Sequence, residues 1–349
     1  MGGAPTAFKK RRVAAFFTLP PLIFSAFYLS GPPPMTLVSI PANPAPENVV
    51  SGTIKTPDGA ELRFARWAPP ANRKGTVCVF TGRSEQIEKY FETVRDLRDR
   101  GFAVAMIDWR GQGHSSRRLR DPRKGYVRDF SDYEIDVETF VQQVVLPDCP
   151  PPHFALAHSM GGAVMLRVAH AGKRWFDRMV LSAPMIDLPG YRTALATRAF
   201  LRFLRLTGQG SRYIPGGNDA LTGSESFVNN PFTSDPVRFA RNAAILAEDP
   251  TLGIGSPTVA WADTAFRAMH GFRASDYPSQ IRQPILMLAA SNDTIVSTPA
   301  IEEFAYHLRA GSHLVIAGSK HEILQEQDRY RAQFWAAFDA FVPGTPLFK

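Results

Sequence analysis

From residue 50 onward, short runs of uninterrupted apolar residues alternate with longer stretches whose apolar residues return every three or four positions. The first kind marks a strand covered on both faces, the second an amphipathic helix. The spacing predicts a hairpin over 53–55 and 62–67, turning at Thr56-Pro57-Asp58-Gly59. It predicts buried strands over 77–80, 103–107, 154–157, 179–181, 285–290 and 314–316. Between them it predicts helices over 87–100, 133–145, 160–171, 299–309 and 323–341, the first closed by Gly101. Short apolar strands separated by helices mean an α/β fold, a mostly parallel sheet with helices on both faces.

The rhythm breaks between about residues 186 and 283, where helical patterning runs on without a strand. The simplest reading is a helical lid over the carboxyl edge of the sheet, carried within one domain of about residues 50–345. Helices are expected near 194–206, 237–246 and 258–269. In the first, Leu195, Ala199, Phe203 and Leu206 make one apolar stripe, Phe200 and Leu204 a second. Arg198, Arg202 and Arg205 occupy the remaining arc. Packing on the core accounts for one stripe. The other, Phe200 with Leu204, is expected to meet an acyl chain or a bilayer.

Residues 1–34 read differently. The block Lys9-Lys10-Arg11-Arg12 precedes a mostly apolar run over 13–29 that Pro20-Pro21 interrupts. That run is shorter than the roughly 20 residues a spanning helix needs. It reads as a short anchor, as a signal segment, or as an overhang upstream of a start at Met35.

Charge sharpens the picture of partners. Lys+Arg number 40 and Asp+Glu 32, a net +8. From Arg110 to Arg128 seven basic residues stand against Asp121 alone. Such a cationic excess suits an anionic membrane surface. No nucleic-acid-binding motif accompanies it, so nucleic acid is not expected. The expected location is therefore cytoplasmic or peripheral on a membrane. Oligomeric state is not legible. Cys78 and Cys149 are the only cysteines and no CxxC occurs, which excludes a disulfide scaffold and a cysteine zinc site. Asp108-Trp109-Arg110-Gly111-Gln112-Gly113 lacks both the third glycine of a dinucleotide fingerprint and the ending of a P-loop, so it reads as a structural loop lining the site. Neither a cofactor nor a metal is expected.

The chemistry-bearing residues fall at strand ends. Ala157-His158-Ser159-Met160-Gly161-Gly162 sits between a buried strand and a helix. A serine on such a tight turn has its hydroxyl pushed out above the sheet, and its neighbours must be small. The usual first glycine is Ala157 here. A serine nucleophile needs a base, and the base an orienting carboxylate, in the chain order serine, acid, histidine. Asp293 follows the strand ending at Ala290, and His321 follows the strand ending at Ile316. His158 adjoins the serine and is expected to point elsewhere. The backbone N–H groups of Met160 and Arg83 are the candidate oxyanion donors.

Gly82-Arg-Ser-Glu with Tyr90, Asp108-Trp-Arg-Gly-Gln-Gly, His158-Ser-Met-Gly-Gly, Lys320-His-Glu-Ile and Thr233-Ser-Asp-Pro-Val-Arg-Phe together resemble the α/β-hydrolase family of bacterial lysophospholipases and monoacylglycerol lipases. The resemblance covers residue 50 to the end. It implies the α/β-hydrolase fold, Ser159, Asp293 and His321 as a catalytic triad, and Arg83 and Met160 amides as the oxyanion hole. Ala157 departs from the family glycine, and Thr81 stands where lipase relatives show His. The resulting expectation is a serine hydrolase that cleaves esters of monoacyl lipids, lysophospholipid or monoacylglycerol, through an acyl-enzyme. The competing expectations are a hydrolase of small non-lipid esters, lactones or amides, and a non-catalytic binding protein.

Overall fold

The computed structural model describes residues 1–4, 36–70, 73–190, 194–224 and 226–342. The basic block and apolar run read as anchor, signal or overhang lie outside the described residues. The chain divides into two units, Met1–Pro33 and Pro34–Lys349, and the second holds the sheet.

β1 (Val49–Lys55) and β2 (Glu61–Trp67) form the expected hairpin, pairing from Val49 opposite Trp67 to Lys55 opposite Glu61. Gly59 turns it at φ 89°, a left-handed value that glycine adopts without strain. The Thr56 hydroxyl accepts from the Ala60 amide at 2.8 Å. The remaining strands are β3 (Thr76–Phe80), β4 (Ala103–Ile107), β5 (His153–His158), β6 (Arg178–Ser182), β7 (Ile285–Ala290) and β8 (Gly311–Ile316). They complete an eight-stranded sheet in the order β1-β2-β4-β3-β5-β6-β7-β8. β2 joins β4 antiparallel, and every later pairing is parallel.

Period-two alternation sorts each strand between two cores. Val77, Val79, Val104, Met106, Leu156 and Val180 point to one face, beneath α1 (Phe91–Asp99) and α8 (Asp328–Phe341). Cys78, Phe80, Ala105, Ile107, Ala157 and Leu181 point to the other, beneath α2 (Asp132–Phe140), α3 (Met160–His170) and α7 (Thr298–Tyr306). Burial on both faces is why these strands lack a polar side.

Three departures from the sequence reading have physical causes. The expected helix over 323–341 is a 3-10 turn at Ile323–Gln325, an extended Glu326 and Gln327, then α8. Glu326 is committed elsewhere: its carboxylate accepts from the Lys320 amide at 2.9 Å and the Ser234 hydroxyl at 2.5 Å. The helix expected over 87–100 likewise opens as a 3-10 turn, Ile87–Tyr90, before α1. Finally, the packed chain starts upstream of residue 50. Leu37, Ile40 and Asn43 are buried, and Asn43 Nδ2 donates to the Glu88 carbonyl at 2.8 Å.

Between β6 and β7 lie α4 (Ala194–Leu204), α5 (Pro236–Glu248) and α6 (Val259–Phe272), with no named strand among the described residues. Local signals start the last two: the Asp235 carboxylate accepts from the Val237 and Arg238 amides, and the Thr258 hydroxyl from the Trp261 amide. Because β3 and β5 to β8 run parallel, their carboxyl ends share one edge, where the loops after Phe80, His158, Ala290 and Ile316 converge.

Candidate active site

Ser159 stands at φ 51°, ψ −114° between β5 and α3. A non-glycine residue there carries strain of about 1–3 kcal/mol. The turn survives because its neighbours leave room for nothing larger. A Cβ on Gly161 would lie 2.6 Å from the carbonyl oxygens of Phe80 and Thr81, and one on Gly162 2.8 Å from Pro184 Cβ. Ala157, in contrast, tucks its methyl into the core with no exposure. The missing first glycine therefore costs the turn nothing visible.

His321 and Asp293 meet this serine although they arrive from separate strand-end loops. His321 Nδ1 lies 2.7 Å from Asp293 Oδ2, and His321 Nε2 lies 3.0 Å from Ser159 Oγ. With Nδ1–H donating to the carboxylate, Nε2 is the acceptor facing the serine hydroxyl. Asp293 Oδ1 accepts from the Ile295 and Val296 amides at 2.8 and 2.9 Å. Burial pushes the Asp293 carboxyl up, but the His321 bond and charge and the two amides outweigh it, so its pKa is lowered. A hydroxyl, an imidazole and a fixed carboxylate in this relay can pass a proton from oxygen to nitrogen while stabilising the imidazolium formed.

His158 does not leave the site as expected. Its ring centre lies 4.8 Å from that of His321, and its Nδ1 donates to the Ser182 carbonyl at 3.1 Å. Burial draws its pKa down to about 4. At neutral pH the ring is therefore uncharged and adds no repulsion to a charged His321.

The loop Thr81–Glu85 is held from several sides. The Gly82 amide donates to Glu85, as does Tyr90 at 2.7 Å. Gln112 Nε2 donates to the Gly82 and Glu85 carbonyls, each at 2.8 Å. A Cβ on Gly82 would meet Glu85 Oε2 at 2.9 Å and His158 at 3.1 Å, so a larger residue here would push on the side chains that hold the loop. Lys89 Nζ lies 2.8 Å from Glu85 and 2.6 Å from Glu322, tying this loop to the loop of His321. Burial raises the Glu85 pKa, but Lys89 and its other partners more than offset this. The sequence reading missed this buried bridge. Asp108–Gly113 is also placed differently from the expectation that it lines the site. It braces the loop from behind, through Gln112 and through Trp109 Nε1 donating to the Thr81 carbonyl at 2.8 Å.

A cavity of about 540 Å³ opens beside Ser159. Its lining includes Gly82, Arg83, Met160 and His321, together with the apolar side chains of Leu201, Trp261, Phe266 and Met269. Of the two α4 residues expected at substrate, Phe200 lines the cavity, 49% exposed at its mouth. Leu204 does not line it and packs instead, partly buried, on the core. Of the stripe expected inside, Ala199, Phe203 and Leu206 face out, Phe203 59% and Leu206 71% exposed. The cause is a buried acid on α6. Arg205 reaches Asp263 at 2.6 Å, with the exposed Arg202 at 3.5 Å, which turns Arg205 toward α6 and leaves Phe203 outward.

The serine aminopeptidase S33 family model matches residues 71–328. The chain belongs to that α/β-hydrolase family. It is 32% identical to lysophospholipase L2 of Escherichia coli strain K12 over 285 residues, 79% of this chain and 82% of that one. It is 31% identical to mouse (Mus musculus) monoglyceride lipase over 132 residues, 37% of this chain and 41% of that one. In fold it is similar to a soluble variant of Saccharomyces cerevisiae monoglyceride lipase, TM-score 0.65 at 20% identity, covering 84% of this chain and 96% of that one. A carboxyl esterase from Bacillus coagulans superposes with TM-score 0.68 at 17% identity, covering 84% and 99%. Lysophospholipases and monoglyceride lipases are carboxylic ester hydrolases, and this α/β-hydrolase is an enzyme of that class. Among the described residues no helix is long and apolar enough to cross a membrane.

Proposed function

We propose that this α/β-hydrolase cleaves the carboxylic ester of monoacyl lipids, lysophospholipid or monoacylglycerol, by way of an acyl-enzyme on Ser159. The observation that carries the reading is the Ser159–His321–Asp293 hydrogen-bond chain opening into an apolar cavity. His321 takes the hydroxyl proton as Ser159 Oγ adds to the ester carbonyl, and Asp293 stabilises the imidazolium. The developing oxyanion is received by the Arg83 and Met160 amides, one donor of this kind being worth about 10²–10³ in turnover. The imidazolium returns its proton to the leaving alcohol as the C–O bond breaks. Water, deprotonated by His321, then adds to the acyl-serine and releases the fatty acid.

The insertion between β6 and β7 acts as a lid whose inner residues, Thr197, Phe200 and Leu201, receive the acyl chain. They stand at i, i+3 and i+4, one face of α4. Outside, exposed Phe203 and Leu206 support peripheral contact with a lipid surface. The net +8 makes an anionic surface the preferred one.

The test is a panel of lysophospholipids, monoacylglycerols, diacyl lipids and short esters, assayed with wild type and Ser159→Ala. The reading expects monoacyl lipids to be turned over best and all activity to vanish in Ser159→Ala. Preference for short non-lipid esters, or activity surviving in Ser159→Ala, would overturn it.

A further inference from the structure

The arginine at the cavity wall has a side chain that ester hydrolysis leaves unused. Arg83 is the only Lys or Arg among the described residues lining the cavity. Its guanidinium lies 5.0 Å from the centre of the Trp261 ring. Nη1 donates to the Ser84 hydroxyl at 2.9 Å and Nη2 to the Gly255 carbonyl at 2.7 Å, both neutral acceptors. Nε is shut off from solvent without a partner.

Three more fully buried arginines behave otherwise, whereas partly buried Arg117, on the far basic loop, likewise meets only carbonyls. Arg63 lies between Glu88 and Asp108, Arg110 between Asp58 and Asp136, and Arg331 between Glu92 and Asp96. Each has at least two carboxylates. Arg83 has none within ion-pair distance among the described residues, and burial draws its pKa down to about 10. It still carries its charge at neutral pH. The two acids on the cavity wall, Glu85 and Glu322, are both engaged by Lys89.

A partly buried charge without a counter-ion is costly unless something pairs with it. A guanidinium has five N–H groups, and Arg83 keeps one uncommitted on each terminal nitrogen. That fork matches two oxygens of one anion.

We infer that the Arg83 side chain is an anion subsite. It takes the phosphodiester of a monoacyl phospholipid while Ser159 reacts at the ester, and so selects lysophospholipid over uncharged monoacylglycerol. This inference rests on the monoacyl-lipid reading above.

The test compares kcat/KM for 1-lauroyl-lysophosphatidylglycerol and 1-lauroylglycerol, below their aggregation limits, in wild type, Arg83→Met and Arg83→Lys. Damage to the Arg83 backbone amide slows both substrates alike and cancels in their ratio. The ratio should fall roughly 10- to 100-fold in Arg83→Met, the span of a charge-assisted hydrogen bond, and less in Arg83→Lys. An unchanged ratio in folded Arg83→Met overturns the inference.

Inhibition of wild-type butyrate-ester hydrolysis by dodecyl phosphate, laurate and dodecanol needs no variant. Dodecyl phosphate should inhibit at least about tenfold more tightly than dodecanol, with a gap that narrows in salt. Equal inhibition by phosphate and alcohol overturns the subsite. Laurate matching dodecyl phosphate would give the subsite to the fatty-acid product and overturn its head-group assignment. If wild type hydrolyses the butyrate ester but neither lauroyl lipid, the monoacyl-lipid reading fails, and the inhibition series still decides the anion subsite.

Discussion

Glu92 fastens the insertion to the hydrolase core, and removing its charge should cost stability in a pH-dependent way. Its carboxylate on α1 receives Arg238 and Arg241 from α5 at 2.6 Å each, and Arg331 from α8 at 2.5 Å. Burial pushes this carboxyl up, yet the three guanidinium groups outweigh it and lower its pKa from 4.5 to about 2. A gap of about 2.5 pH units at about 1.4 kcal/mol each is roughly 3 kcal/mol, trimmed to about 2–3 by solvent screening. In Glu92→Gln, Arg331 keeps Asp96, and Arg238 keeps Asp235 and Asp328. Arg241 keeps only the neutral Gln325.

The sign follows from the lowered folded-state value. The stabilisation is fully present above the unfolded pKa near 4.5 and drains away as pH falls toward 2. Urea unfolding of wild type and Glu92→Gln at pH 7, 5, 4 and 3 checks it. The stability difference should be about 2–3 kcal/mol at pH 7 and 5 and fall to about half that at pH 3. A difference independent of pH, or below about 0.5 kcal/mol throughout, would show that the cluster is only a surface arrangement.

Gly161→Ala should lose most activity and about 1–3 kcal/mol, because its methyl would meet two carbonyl oxygens at 2.6 Å; Ala157→Gly, assayed alongside by turnover and thermal melting, should cost no more than about 1 kcal/mol. Phe200→Ser should lower kcat/KM increasingly from four-carbon to sixteen-carbon esters, since each buried CH₂ is worth about 0.8 kcal/mol, whereas Leu204→Ser should lower melting temperature without a chain-length trend; equal slopes in the two variants would refute this division of α4. A protein starting at Met35 should melt like full length, and one starting at Val49 should melt lower, having lost buried Leu37, Ile40 and Asn43. Calorimetry of the three proteins checks it. Vesicle co-sedimentation of full-length and Met35-start protein on anionic lipid tests the anchor expectation, which predicts more binding by full length.

The inner strands were legible because burial on both faces leaves a continuous apolar run, as at 77–80 and 285–290, whereas β8, expected to be buried at 314–316, is an edge strand with Leu314 exposed. The meeting of Ser159, Asp293 and His321 was legible for a topological reason: residues directly after parallel strands share one edge. Long-range charge pairing was not legible. Lys89 and Glu322 are 233 positions apart, and no local spacing connects them. The same blindness hid the orientation of α4, which depends on Asp263 two helices later. It also hid the break before α8, where Glu326 gives up helical geometry for Ser234 and Lys320. Helical periodicity shows that two stripes exist on α4 but not which one a distant acid turns inward.

The central claim is an acyl-enzyme on Ser159, oriented by His321 and Asp293. Rapid acid quench of wild type turning over a lauroyl ester, followed by peptide mass spectrometry, tests it most directly. The account predicts a lauroyl group on the peptide at Ser159 within the first turnover. It predicts no adduct in Ser159→Ala, and accumulation slowed by about 10⁴ in folded Asp293→Asn, where the imidazole tautomer is wrong. Continued ester turnover with no acyl group on Ser159, or with the acyl group on another residue, would contradict it.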